Sequence, residues 1–361
     1  MKSFSDLYNQ YFASTAVCSH REDERIFRTR FQRFFLYIFL FLVVLSPLYG
    51  NEYNFYIFNL VLINLIGALG LNLLIGFTGL LSLGHAAFLG VGAYTSALLI
   101  AHWNWPLPLT ALCAGLVAAL LGLIVGIPSL RIKGFYLMVA TLAFQFIVEY
   151  AIIHWESVTR GIRGIELPPP SFLFFSINKH YAYFYFLFLL AALLMWGLKN
   201  LQRSKIGRAF IAIRDNDVSA EIIGISVFRY KLLAFAISSF YAGVAGALFS
   251  ALQRSAIPED YTFLKSIEFL AMVLIGGLGS LLGTIFGVLF ITLVPEFLNV
   301  GVSFLAKRYD PNLTIYLGPG KDFVFGLLII LFIIFKPEGL VGVWRRLRDY
   351  FRIWPLPYVS K

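Results

Sequence analysis

Charge is scarce in this chain. Only 13% of its 361 residues are Asp, Glu, Lys or Arg, about half the share of an ordinary soluble domain. With 59% hydrophobic residues and a mean hydropathy of +0.80, no single water-soluble core could bury the apolar surface. Lipid is therefore the solvent for most of the chain, and a string of soluble domains is excluded. Cysteine is nearly absent: Cys18 stands in a polar stretch and Cys113 in an apolar run, so no disulfide framework is implied. No GxxxxGK[ST] occurs, which argues against an ATPase site within the chain. No HExxH and no Cys/His cluster occurs either, so neither a metal nor another cofactor is expected. The formal charge of +10 sits at the ends of apolar runs, as orientation signals do, and does not point to nucleic acid. The first 33 residues, with Lys2, Arg21, Arg25, Arg28, Arg30 and Arg33, are too long and too charged for a cleavable signal and read as a retained tail.

Long apolar runs are what the sequence does have. They fall near 34–50, 55–75, 79–101, 107–127, 134–153, 181–198, 229–252, 266–294 and 321–336. Each is about the length that crosses a bilayer, and helix is the only state that pairs its own backbone in lipid. The expected fold is an all-α integral membrane protein, a polytopic bundle of about 8–10 transmembrane helices. Lys and Arg in the short loops set orientation. A cytoplasmic tail at 1–33 places Arg131 and Lys133 inside, then segment 199–228, and finally a cytoplasmic tail at 337–361 with Arg345, Arg346, Arg348 and Arg352. Nine single crossings would leave that last tail outside. The conflict disappears if 266–294, interrupted by Gly276, Gly277, Gly279 and Gly283, enters and leaves on one side as a re-entrant or broken hairpin with its tip near Gly276–Ser280. Such backbone is tolerated only inside protein or against a watery cavity. Residues 34–336 then form one transmembrane domain.

Two glycine-interrupted segments echo each other. Leu74-Ile75-Gly76 with Gly79 and Leu81 recurs as Leu274-Ile275-Gly276 with Gly279 and Leu281, and paired breaks of this kind point to a transport site. Chance and ordinary glycine packing are the alternative. The stretch GFTGLLSLGHAAFLGVGAY adds Thr78, Ser82 and His85, polar groups that lipid does not reward. The candidate pathway residues are Gly76, Thr78, Gly79, Ser82, Gly84 and His85, with Gly276, Gly277, Gly279 and Ser280. For His85 the favoured reading is a hydrogen bond between packed helices. Glu149 reads as an interfacial group beside Trp155 rather than a pathway acid or a partner of Arg160 or Arg163.

Segment 199–228 is the polar insert. Ile206, Phe210 and Ile213 share one helical face, with Arg208 and Arg214 off it. Asp217 is positioned to cap a second short helix that Gly224 would end. Two short helices there would make a docking surface; an amphipathic helix on anionic lipid is the alternative. Asp215, Asp217 and Glu221 argue against the lipid reading, since anionic head groups repel them.

The order GLNLLIGFTGLLSLGHAAFLGVGAY, IGRAFIAIRDNDVSAEIIGI, YKLLAFAISSFYAGVAGAL, SIEFLAMVLIGGLGSLLGTIFG and KPEGLVG resembles the permease subunits of branched-chain amino acid ABC importers, the LivM type rather than its LivH-type partner. The resemblance implies that Arg208–Gly224 seats in an ATPase, with Arg208, Phe210, Arg214, Asp215, Asn216, Ala220, Glu221 and Gly224 as candidate coupling residues. The importer motif Glu-Ala-Ala followed by Gly is only loosely met by Ala220-Glu221 and Gly224. Arg160 and Arg163 stand where similar permeases are more neutral. The implied partners are two ATP-binding cassette subunits, a second related permease, a periplasmic solute-binding protein and membrane lipid. The implied place is a bacterial inner membrane, crossed many times, and the implied solutes are Leu, Ile and Val. Urea or a short amide on the same scaffold is the nearest alternative. An ion-coupled carrier lacks mid-depth acids beyond Glu149 and Glu268, and an intramembrane enzyme would need paired reactive groups that His85, His154 and His180 do not supply.

Overall fold

The structure, a computed structural model, describes residues 51–129, 134–172, 175, 176, 180–308, 339–353 and part of 323–335. The apolar run 34–50 lies outside the described residues, and 321–336 lies partly outside them. The chain divides into two compact units, Met1–Asn54 with Val343–Lys361, and Phe55–Gly342. The first unit contributes the start of helix α1 (Glu52–Asn72) and most of the basic helix α12 (Gly339–Ile353) to the described residues.

In the second unit α1 runs into one π-helical turn, Leu73–Phe77. Helices α2 (His85–Trp103), α3 (Leu107–Ser129) and α4 (Phe135–His154) follow. A connecting segment carries the short α5 (Glu156–Thr159), β1 (Ile165–Glu166), and the paired β2 (Ser171–Phe172) and β3 (Phe175–Ser176). Next come α6 (His180–Arg203), the two short helices α7 (Lys205–Asp215) and α8 (Asp217–Ile222), and α9 (Val227–Gln253). Beyond β4 (Ser255–Ala256) and a 3-10 turn at Pro258–Tyr261 lie α10 (Phe263–Gly276) and α11 (Leu281–Arg308). Among the described residues, seven helices are long and apolar enough to cross a membrane. They match seven of the nine apolar runs. The protein is an all-α polytopic bundle.

Small residues decide which helices lie inside. Along α9, Gly243 packs on Ala114 and Ala118 of α3 while Gly246 lies against the backbone of Leu89 in α2. Gly70 of α1 meets Tyr241 and the Ser238 carbonyl on the same helix. Lipid gives helices no hydrophobic reason to associate, so close backbone approach of this kind is what holds them. Accordingly 89% of the apolar window of α1 and its π-turn is buried and 72% of that of α9, against 22% in α4 and 28% in α6. The first pair forms the interior, and the second pair keeps large side chains such as Phe146, Ile147, Leu189 and Trp196 exposed.

The run 266–294 is two helices, broken where its glycines interrupt it. Gly276 lies on Gly283, and Met272 on Gly287, so α10 and α11 are antiparallel legs of a hairpin whose tip is 277–280. The run expected from residue 79 departs from expectation. Its helix begins only at His85, because Gly79 takes a left-handed φ of 71° and the chain leaves the helix there. A two-residue ladder, Ile165 with Ala256 and Glu166 with Ser255, ties the segment after α4 to the turn before α10. Nothing in the sequence announces so short a pairing.

Replacing Gly246 with Ala should destabilise the purified protein by at least about 2 kcal/mol, since a Cβ there overlaps the Leu89 carbonyl and backbone cannot step aside. Gly197→Ala, whose Cβ meets only the Tyr241 hydroxyl at 3.7 Å, should be neutral or stabilising by up to about 1 kcal/mol. Thermal denaturation of the detergent-solubilised protein compares the two.

Candidate functional site

The site is built where two helices stop. At the end of α1, Gly79 N–H donates to Ile75 O at 3.0 Å and Leu80 N–H to Leu74 O at 3.1 Å. These bonds close the turn but leave the Gly76 carbonyl without a helical partner. The chain then crosses in irregular form from Thr78 to Gly84. Its polar groups find partners on neighbouring helices, as buried backbone must. Leu83 N–H donates to Thr141 Oγ1 at 3.0 Å, and Ala86 N–H donates to Ser266 Oγ at 2.8 Å. Hydroxyls of α4 and α10 thus cap the free amides at the start of α2. His85 Nε2 lies 2.9 Å from Gly67 O, its ring edge-on to Phe269 with centroids 5.4 Å apart. It is hydrogen-bonded between helices, the reading the sequence favoured. Thr78 is buried and donates to Leu74 O, while Ser82 Oγ accepts from Gly84 N–H.

The second interruption faces the first. Gly277 has a φ of 115° and Gly279 a φ of 73°, both in the region where a side chain strains the backbone. Ser280 caps α11 by accepting from Gly283 N–H at 3.1 Å. Asn72, fully buried at the end of α1, joins the two breaks. Its Oδ1 accepts from Gly279 N–H at 2.9 Å, and its Nδ2 donates to Ser280 O at 3.2 Å and to Thr284 Oγ1 at 2.8 Å. A Cβ on Gly76 would overlap Asn72 Oδ1 and the Gly279 backbone. Only two glycines allow this approach.

The polar insert meets the same place. Ser204 caps α7, accepting from Ile206 N–H and Gly207 N–H, and Asn216 caps α8, accepting from Val218 N–H and Ser219 N–H at 3.0 Å each. The expected cap, Asp217, is instead ion-paired with Lys231 on α9. A buried lysine needs such a partner more than the helix needs a second cap. Gly224 ends α8 with a φ of 87°, as expected. Phe210 and Ile213 are buried, with Phe210 edge-on to Tyr230 at 6.3 Å. Arg214, at the end of α7, reaches the break: its Nη1 donates to Gly76 O at 2.9 Å, and its Nε and Nη2 hold Asp215. Around it lies a cleft of about 150 Å³ lined by Thr78–Leu81, Gly134, Leu137, Ile213, Arg214, Asp217 and Lys231.

The candidate residues therefore sort by place. Gly76, Gly79, Gly277, Gly279, Ser280 and Arg214 converge on one point. Ser82, Gly84 and His85 lie further along the first break, packed on α4 and α1. Gly276 lies inside the hairpin. Arg208, Asp215, Asn216, Glu221 and Gly224 are exposed on the insert, whereas Phe210 and Ala220 face inward. The two inward residues anchor the insert and do not belong to its outer surface. What the sequence reading missed is Asn72, whose signal was an amide inside an apolar run, and three apolar side chains at the insert surface. Val218, Ile222 and Ile223 are 61%, 79% and 72% exposed, a contiguous apolar patch of the kind that marks a protein contact. Among the described residues no group of three His, Cys, Asp or Glu side chains could hold a metal ion.

A family model described as the permease component of branched-chain amino acid transport systems matches residues 53–333. The high-affinity branched-chain amino acid transport permease LivM of Escherichia coli is 32% identical over 338 residues, spanning 87% of this chain and 76% of that protein. The probable LivM of Methanocaldococcus jannaschii is 25% identical over 235 residues, 63% of this chain and 66% of its own. The autoinducer 2 import permease LsrC of Klebsiella pneumoniae is 32% identical over 144 residues, 39% of either chain. No solved structure matches.

Gly279→Ala should insert and fold yet lose most transport, because its Cβ sits in a left-handed position 3.0 Å from Gly76 O and 3.3 Å from Arg214 Nη1. Strain of about 1–3 kcal/mol at the tip predicts about a fivefold or greater fall in solute uptake. Uptake normalised to surface amount reads it.

Proposed function

The chain belongs to the branched-chain amino acid transport permease family, and from that premise we propose that it is the LivM-type half of an ABC importer for Leu, Ile and Val. Its relatives are membrane subunits of transporters, so the chain is a multi-pass inner-membrane permease. In this reading ATP is hydrolysed on two partner cassette subunits, a second related permease completes the pathway, and a periplasmic binding protein delivers the solute. Residues 1–33 and 337–361 are cytoplasmic tails, and 34–336 is the permease domain. Segment 199–228 faces the cytosol and seats in a cassette.

One observation carries the proposal: the Arg214 hydrogen bond to Gly76 O, 138 residues away in sequence. It joins the insert, whose outer face offers Val218, Ile222, Ile223, Arg208 and Glu221 to a partner, to the point where the two interrupted helices meet. A cassette that closes on ATP moves α7 and α8. Arg214 passes that movement to the Gly76 carbonyl, and Asn72 passes it on to the tip at Gly279. Each cassette state then favours one arrangement of the breaks, and the shift equals the differential affinity of the partner for the two. The cleft beside Thr78–Leu81 is walled in part by the insert residues Ile213, Arg214 and Asp217 and suits release. The apolar, sparsely charged interior suits aliphatic solutes, held weakly enough to leave.

Arg214→Glu should still co-purify with the cassettes through the apolar patch but lose coupling. A hydrogen bond from a charged donor is worth about 1.5–3 kcal/mol, so stimulation of ATP hydrolysis by loaded binding protein should fall about tenfold or more. Unchanged stimulation would reject the transmission role. Uptake of labelled leucine by the assembled importer, competed with isoleucine, valine, urea and autoinducer 2, assigns the solute. Displacement by urea or autoinducer 2 alone would reject the amino-acid reading.

A further inference from the structure

Three buried polar atoms without partners lie away from the breaks, on α2, on α4 and in the turn before α10. Tyr94 Oη, Tyr261 Oη and Glu149 Oε2 are buried and make no hydrogen bond. Tyr94 is 4% exposed and Tyr261 3%. Their rings meet edge to face with centroids 6.4 Å apart. Tyr94 stands midway along α2, at the depth where a spanning helix has least access to water. The turn Pro258–Tyr261 reaches that depth because Gly90 admits the Tyr261 side chain: a Cβ there would lie 3.1 Å from Tyr261 Cβ and 3.3 Å from Ile152 Cδ1. On α4, Gln145 Nε2 holds Tyr261 O at 2.8 Å. Gln145, Glu149 and Ile152 are spaced i, i+4 and i+7, so Glu149 shares the face that packs on Tyr261.

Each buried hydroxyl left unpaired costs about 1–3 kcal/mol, and a carboxylate costs more. A membrane protein keeps such groups at mid-depth when something passes that uses them. The set has a chemical bias. Asp260, partly buried, adjoins Tyr261 in the same turn. The nearby cation, Lys265, is already committed to Glu268 at 2.8 Å. Two hydroxyls and two carboxyl groups on adjoining elements would suit a cation that can donate several hydrogen bonds. Beside them the Phe249 ring lies 6.2 Å from the Tyr261 ring, with the Lys265 ammonium 5.6 Å from its centroid, and Ile152 lies against Gly90.

We propose that Tyr94, Tyr261, Glu149 and Asp260 form a mid-membrane site that takes the ammonium group of the passing amino acid, with Phe249 and Ile152 beside its aliphatic side chain. The inference rests on the amino-acid reading above. It places a recognition step inside the permease, after the binding protein has let go.

The test uses the complete importer in proteoliposomes with leucine-loaded binding protein, measuring leucine uptake and ATP hydrolysis together. Tyr261→Phe and Glu149→Gln should lower uptake about tenfold while hydrolysis stays within about twofold of wild type, so more ATP is spent per leucine. Because the binding protein is unchanged, its own selectivity is common to every complex. Unaltered uptake in these variants would overturn the site. If Glu149→Gln fails to assemble, Tyr94→Phe and Tyr261→Phe, each lacking one oxygen, decide by the same ratio. A wild-type complex that moves urea or autoinducer 2 but no amino acid would overturn the site together with the amino-acid reading. Amino-acid uptake with an unchanged ratio in the variants would overturn the site alone.

Discussion

Between the two interrupted helices, the carboxamide of Asn72 makes three hydrogen bonds, to Gly279 N–H, Ser280 O and Thr284 Oγ1. In lipid an unpaired backbone group has no water to turn to, so a break in a helix persists only where other groups supply what the helix no longer does. Asn72 does this for the α10–α11 tip. Ser266 and Thr141 do it for the start of α2, and Arg214 for the Gly76 carbonyl. The glycines at 76 and 279 are the steric condition for the same contact, because any side chain at Gly76 would occupy the place of the Asn72 amide. Irregular backbone, small residues and one amide are thus parts of a single arrangement.

The polar insert depends on that arrangement from the other direction. Its two helices are too short to be stable alone. Caps at Ser204 and Asn216, the buried Phe210 and Ile213, and the Asp217–Lys231 ion pair fix them to the bundle. Once fixed, α7 presents Arg214 to the break and α8 presents Val218, Ile222 and Ile223 outward. A partner that binds the outer face acts on a small rigid body whose far end holds a main-chain carbonyl. Transmission of this kind needs no large movement, since packed interfaces have discrete arrangements and do not deform continuously.

Much of this was legible in the sequence because its signals are local. Apolar runs mark spans, and glycines mark breaks, among them the hairpin tip near Gly276–Ser280. Gly224 as a helix stop and the apolar face Ile206, Phe210, Ile213 are likewise short-range. What escaped are pairings made across long separations. Asn72 reads as a stray amide until Thr284, 212 residues on, is known to sit beside it. Asp217 looks like a cap until Lys231 claims it, leaving the cap to Asn216. Phe210 looks like a contact residue but serves as an anchor. Glu149 reads as interfacial beside Trp155, and the sequence does not show that one of its oxygens is buried without a partner. The ladder between Ile165 and Ala256 is too short for a strand pattern.

The central claim is that insert and breaks act as one unit, through Arg214 on one side of Gly76 and Asn72 on the other. A double-mutant cycle on coupled uptake, with Asn72→Ala, Arg214→Ala and both, tests it most directly. Residues acting in one unit are strongly non-additive. The double variant should transport no worse than the poorer single variant, with the two energies failing to sum. Losses that multiply, as for independent sites, would contradict the account.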